Sequence, residues 1–172
     1  MFEVNTHLKV SFGDWLYMLG YELNIGSQPI MQHAQFFEKA KTARFRFENT
    51  ALHTEREEID TSFQYGNYHL SKLTFDDFLP TSVRDVQRAI EMLIRDEKAV
   101  KIGDEERNAA IRVIEHNLTW LLAGASDVYK LGVGSIEMEH KKAPFATHPL
   151  FSSFLAFSKN KGKVVYLEFG SD

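Results

Sequence analysis

The chain has 172 residues, 44% of them hydrophobic and 26% charged, a composition that supports a packed core and excludes disorder as the main state. It contains no cysteine, which excludes thiol catalysis, cysteine-ligated zinc, iron–sulfur clusters and disulfide frameworks together. Twenty Lys and Arg against 24 Asp and Glu give a net charge of −4, opposite in sign to the basic footprint of a general nucleic-acid binder.

The opening stretch from Met1 to Ile25 is interrupted by Glu3, His7, Lys9, Asp14 and Glu22, too many polar groups for a signal-peptide core or a membrane span. A cytoplasmic protein with no membrane partner is expected. Within it, Phe2 to Val10 reads as a strand, and residues 14–23 and 29–41 as helices. Strict alternation in Ala43-Arg44-Phe45-Arg46-Phe47-Glu48 predicts a half-buried strand, because successive side chains point to opposite faces. Asn49 to Leu73 shows no dominant period.

Beyond Pro80 the pattern becomes regular. Val83, Val86, Ile90, Leu93 and Ile94 recur at helical spacing after Ser82, and Asp85 stands three residues on, where its carboxylate can complete a capping box. This predicts a helix over residues 82–97. After Gly103, three carboxylates (Asp104, Glu105, Glu106) suit the positive end of a second helix over residues 104–123. Ala110, Ile111, Ile114, Leu118, Leu121 and Leu122 supply its apolar stripe, and Gly124 stands where a left-handed cap belongs. The short connection predicts a helical hairpin.

Ser135 to His140 reads as a strand. The turn-rich Ser158 to Gly162 separates Phe154–Phe157 from Val164–Phe169, a β-hairpin signal. Alternation of Val165, Leu167 and Phe169 with Val164, Tyr166 and Glu168 predicts alternating burial there. With no repeat, no linker-like stretch and four prolines, residues 1–172 are expected to form a single α+β domain: an antiparallel sheet with a helical hairpin and a C-terminal β-hairpin.

Motifs that carry chemistry are scarce. The seven histidines (His7, His33, His53, His69, His116, His140, His148) form no HxH, HxxxH or HExxH pair, so no metal site is expected. Gly132-Val133-Gly134 lacks the third glycine of a dinucleotide loop, and neither a phosphate-binding GxxxxGK[ST] nor a GxSxG elbow occurs. No cofactor is expected.

Glu137, Glu139 and Lys141 would share one face of the expected strand, with Asp127 upstream. An aspartate followed by Glu-x-Lys resembles the core of the PD-(D/E)xK nucleases, although no proline precedes Asp127. That resemblance implies Mg²⁺ held by Asp127 and Glu139, with Lys141 orienting the attacking water.

Four carboxylates crowd the segment Glu55, Glu57, Glu58 and Asp60, next to Phe63 and Tyr65. Such a patch can steer a basic partner by long-range attraction, while neighbouring aromatics serve as anchors. Phe36, Phe37, Phe75, Phe78, Phe145 and Phe151 are further candidates, either for the core or for an interface.

Acid clusters beside aromatics, in a cysteine-free acidic α+β domain without a catalytic signature, make the chain similar to the immunity proteins of bacterial toxin systems, including those of contact-dependent growth inhibition. The resemblance implies a non-enzymatic binding protein that neutralises a cognate protein toxin, covering a basic nuclease-type active site rather than touching nucleic acid itself. The expected contacts are Glu55, Glu57, Glu58, Asp60, Phe63 and Tyr65. The alternative is the metal-dependent nuclease built on Asp127, Glu139 and Lys141.

Overall fold

The computed structural model describes residues 3–12, 16–24, 32–42, 64–65, 67–96, 102–133, 135–143, 150–158 and 162–171. They form an α+β fold around a six-stranded antiparallel sheet. In chain order the elements are β1 (Glu3–Phe12), β2 (Leu16–Asn24), α1 (His33–Thr42), β3 (Gln64–Tyr65), β4 (Tyr68–His69), β5 (Phe78–Thr81), α2 (Val83–Arg95), α3 (Asp104–Leu121), β6 (Asp127–Leu131), α4 (Ile136–Glu139), β7 (Leu150–Ser158) and β8 (Lys163–Ser171). The sheet order is β1-β2-β8-β7-β6-β5, and β3 pairs with β4 in a separate two-stranded ribbon.

The helical hairpin is an insertion between two neighbouring strands. β5 and β6 pair directly, Phe78 opposite Leu131 and Thr81 opposite Val128, and α2 and α3 leave and return between them. Ser82 caps the start of α2 as the sequence predicts, its Oγ accepting from the Asp85 backbone N–H at 3.1 Å, but the Asp85 carboxylate accepts from the Ser82 hydroxyl at 2.7 Å and does not complete a capping box. Its end is held by Arg107 of α3, which donates to the Ile94 carbonyl at 2.6 Å and to the Ile102 carbonyl at 3.0 Å. A cation at a helix C-terminus satisfies carbonyls that have no intrahelical partner. Lys163 does the same for α3, donating to the Leu121 carbonyl at 3.4 Å while pairing with Glu22 on β2 at 2.7 Å. Gly124 follows with φ 79°, the left-handed turn for which the sequence places a glycine there.

Strand register sorts the core into two layers. Met18, Val128, Phe154, Ala156, Val165, Leu167 and Phe169 pack with Val86, Ile90, Ile94, Ile114 and Leu118 of the hairpin. Leu23, Leu131, Leu155, Phe157, Val164 and Tyr166 point the other way and pack with Phe36 and Phe37 of α1, Phe78 and Met138. β8 is therefore buried from Lys163 to Gly170. The expected alternation of burial along Val164–Phe169 is corrected: the faces alternate, but both are covered. Glu168, at 0% exposure, lies on the α1 side and accepts from the Tyr166 hydroxyl at 2.5 Å.

Two segments differ from expectation in type. Residues 14–23, expected as a helix, contain β2, which pairs with β1 on one side and β8 on the other. Ladder pairing on both edges overrides a weak local preference. Ser135–His140, expected as a strand, holds the short helix α4, whose Ser135 cap accepts from the Met138 N–H at 3.2 Å. The expected helix over residues 29–41 appears as α1, and the expected first strand as β1. The Ala43–Glu48 strand lies outside the described residues.

Candidate protein-binding face

Helix α3 turns one stripe inward and leaves another in solvent. Its buried positions are Arg107, Ala110, Ile111, Ile114, Leu118 and Leu121, spaced at the helical period. Because the Arg107 guanidinium faces inward to the carbonyls of Ile94 and Ile102, its charge is withdrawn from the surface. What remains exposed on α3 is four carboxylates, Asp104, Glu105, Glu106 and Glu115, against the single guanidinium of Arg112. The same helix exposes Val113 at 43% and Trp120 at 55%. Ala109 and His116 are exposed between and beside them, so Ala109, Val113, His116 and Trp120 follow one another at intervals of four, three and four. At about 100° per residue these four lie within an arc of roughly 60°, centred some 140° around the helix from the core stripe. On the neighbouring α2, Met92 is 64% exposed.

The acid-rich segment singled out in the sequence falls almost wholly outside the described residues. Glu55, Glu57, Glu58, Asp60 and Phe63 lie outside the described residues, and Tyr65 sits on β3, opposite Tyr68. Of the phenylalanines weighed for core or interface, Phe36, Phe37, Phe78 and Phe151 are buried and Phe75 is half-buried, so these belong to the core layer that includes α1; Phe145 lies outside the described residues.

Each member of the nuclease-like trio has a different neighbour. Lys141 Nζ donates to both oxygens of Asp77, at 2.5 and 2.7 Å. Glu139 pairs with Lys142 at 2.8 Å on an exposed surface, a bond that raises the Lys142 ammonium above its ordinary range. Asp127 Oδ2 lies 3.7 Å from His33 Nε2, while His33 Nδ1 is 3.0 Å from the Tyr129 hydroxyl. With the segment before Lys141 helical, Glu139 and Lys141 do not alternate along a strand face, and the geometric premise of the PD-(D/E)xK resemblance is corrected. Among the described residues no group of three or more His, Asp or Glu converges as a metal cluster.

The His33 cluster is chiefly a packing device. The imidazole stacks on Phe157 with centroids 3.9 Å apart and meets Tyr129 edge-on at 5.4 Å, which fastens the first turn of α1 to β6 and β7. Burial pushes the Tyr68 phenol upward, with the Lys142 charge opposing and the Glu139 charge adding to it.

The exposed stripe of α3 was open to reading in the sequence. Val113 and Trp120 are seven apart and out of phase with the core positions, which is the mark of a second face on one helix.

Among the described residues no helix is long and apolar enough to cross a membrane. No protein-family model matches the chain, and no curated protein does. Among solved structures, citrus MAF1 in one crystal form aligns with 95% of this chain and 91% of its own at 12% identity and a TM-score of 0.43. A second crystal form of citrus MAF1 aligns with 95% of this chain and 92% of its own at 11% identity and a TM-score of 0.42. Similarity at that level carries no argument about what the chain binds.

Proposed function

We propose that this chain is a cytoplasmic binding protein that neutralises a cognate protein toxin by covering a basic, nuclease-type surface of it. The observation that supports this reading is the solvent side of α3, where four carboxylates face one guanidinium and an exposed tryptophan stands on the same helix. Carboxylates of this kind speed encounter with a cationic partner, and a desolvated tryptophan slows its departure. The three acids at the N-terminus of α3 also favour the helix dipole, so one set of charges serves folding and recognition together.

The acidic run Glu55, Glu57, Glu58 and Asp60, with Phe63 and Tyr65, is proposed as a second part of the contact surface. Its charge has the same sign as that of α3 and suits the same class of partner.

The test is neutralisation. A toxin domain encoded next to this chain is expressed with and without it, and growth and retention on the immobilised chain are measured. Restored growth together with retention supports the proposal. Toxicity undiminished by the chain, or a genomic neighbourhood without any toxin-bearing reading frame, counts against it.

A further inference from the structure

The exposed stripe of α3 specifies more than charge. We infer that Ala109, Val113, His116 and Trp120 form a docking seam for one basic amphipathic helix of the partner protein. The inference rests on the proposal that α3 faces a cationic partner, and adds the shape of what it meets.

Spacing carries the argument. Intervals of four, three and four set these residues in one line, and the ridge of a second helix fits such a line because its own side chains recur at three and four. A strand, with side chains every second residue, has no matching period. The seam spans eleven intervals, roughly 16 Å of helix, so the occupant needs about three turns. Ala109 at one end permits close approach of the two backbones, and the Trp120 ring at the other can cover the partner's apolar ridge.

Charge selects the occupant. Asp104, Glu105 and Glu106 crowd the N-terminal end of α3, and its last turn contains no basic residue. A second copy docked antiparallel on this seam would set those acids against a helix C-terminus that is itself partially negative. Docked parallel, it would set acid cluster against acid cluster. On α3 itself, neither arrangement sets a cation opposite those acids. A helix carrying Lys or Arg beside its apolar ridge does, at the end that meets Glu105 and Glu106.

The experiment uses the full chain and a synthetic single-helix peptide of about three heptads, with Leu on one stripe and Lys and Arg flanking it. A peptide of the same composition with the leucines scrambled off the stripe is the control. NMR titration follows the Val113 methyls and the Trp120 indole. Saturable one-to-one binding centred on these two residues is expected, weakened on the order of thirtyfold by Trp120→Ala and abolished by Val113→Lys. Both side chains are exposed, so the variants keep the fold, and circular dichroism checks this. Equal binding of the scrambled peptide, or binding indifferent to Trp120→Ala, overturns the seam. So does a dimer in sedimentation that Trp120→Ala dissolves, since it would assign the seam to a second copy.

The seam and the toxin reading fail separately. If Glu105→Lys with Glu106→Lys weakens capture of the toxin domain while Trp120→Ala leaves it unchanged, the acidic face stands and the helical seam is overturned. If the peptide docks at the seam but the toxin domain is not retained, the seam stands and the toxin reading fails.

Discussion

Lys141 and Asp77 form a two-pronged ion pair, the ammonium 2.5 and 2.7 Å from the two carboxylate oxygens, and it joins the turn after α4 to the short helical turn Phe75–Asp77 ahead of β5. Asp77 is 9% exposed and Lys141 23%, so water screens the pair only in part. The lysine that the sequence pattern offered to a nuclease thus has a structural task. Lys141→Met should destabilise the fold by about 2 kcal/mol, less than a fully buried pair would lose because the ammonium keeps some solvent. Urea denaturation measures this, and an unchanged midpoint would show that the pair contributes nothing.

The sheet centre offers a second measurement. Tyr166 donates to Glu168 at 2.5 Å in a layer where both are essentially without solvent. Tyr166→Phe removes that donor with little change of shape and should cost about 1–3 kcal/mol, the range for hydrogen bonds to charged or buried acceptors. Urea denaturation measures the loss, and an unchanged midpoint would show that the bond contributes nothing.

The alkaline limb of stability follows from two groups. Burial raises the Tyr68 phenol, and the bond to Glu139 raises the Lys142 ammonium. A raised folded-state value means that the native chain holds the proton longer than the unfolded chain does. Their contribution is therefore complete below the ordinary values, near 10.0 for tyrosine and 10.5 for lysine, and is lost as pH climbs through the raised ones. Ultraviolet titration should show a late-ionising tyrosine component that shrinks in Tyr68→Phe. Uniform titration in both proteins would contradict the burial.

Helices α2 and α3 and the terminal hairpin were legible because their signals are local: an apolar stripe with Ser82 and Gly124 at its ends, and apolar runs on either side of the turn at Gly162, whose φ is 56°. β2 was misread because its stability comes from ladder pairing on both edges, with β1 as a hairpin neighbour and with β8 far along the chain. The same distance hid the burial of Glu168, since only the tertiary fold brings α1 over that face. For the site, Arg107 is instructive: sequence counts it among the surface cations, whereas its inward bonds to Ile94 and Ile102 make the face of α3 more acidic than composition suggests. Asp127 was singled out, but its neighbour His33 lies 94 residues upstream on another element, and spacing could not pair them.

The dissociation side of binding has its own prediction. Trp120→Ala should accelerate release of the partner and leave its arrival rate nearly unchanged, because an apolar anchor acts after encounter. Surface-plasmon kinetics reads the two rates separately, and a variant that slowed arrival alone would place Trp120 outside the contact.

The most direct test of the proposal is the association rate of this chain with a candidate toxin domain taken from a neighbouring reading frame, at low and at physiological salt. The comparison is between the natural chain and the Glu105→Lys, Glu106→Lys double variant. Rim carboxylates act mainly on encounter, so the reversal should slow association about tenfold or more at low salt and flatten its salt dependence. Association equally fast in both proteins at both salt concentrations would contradict the account.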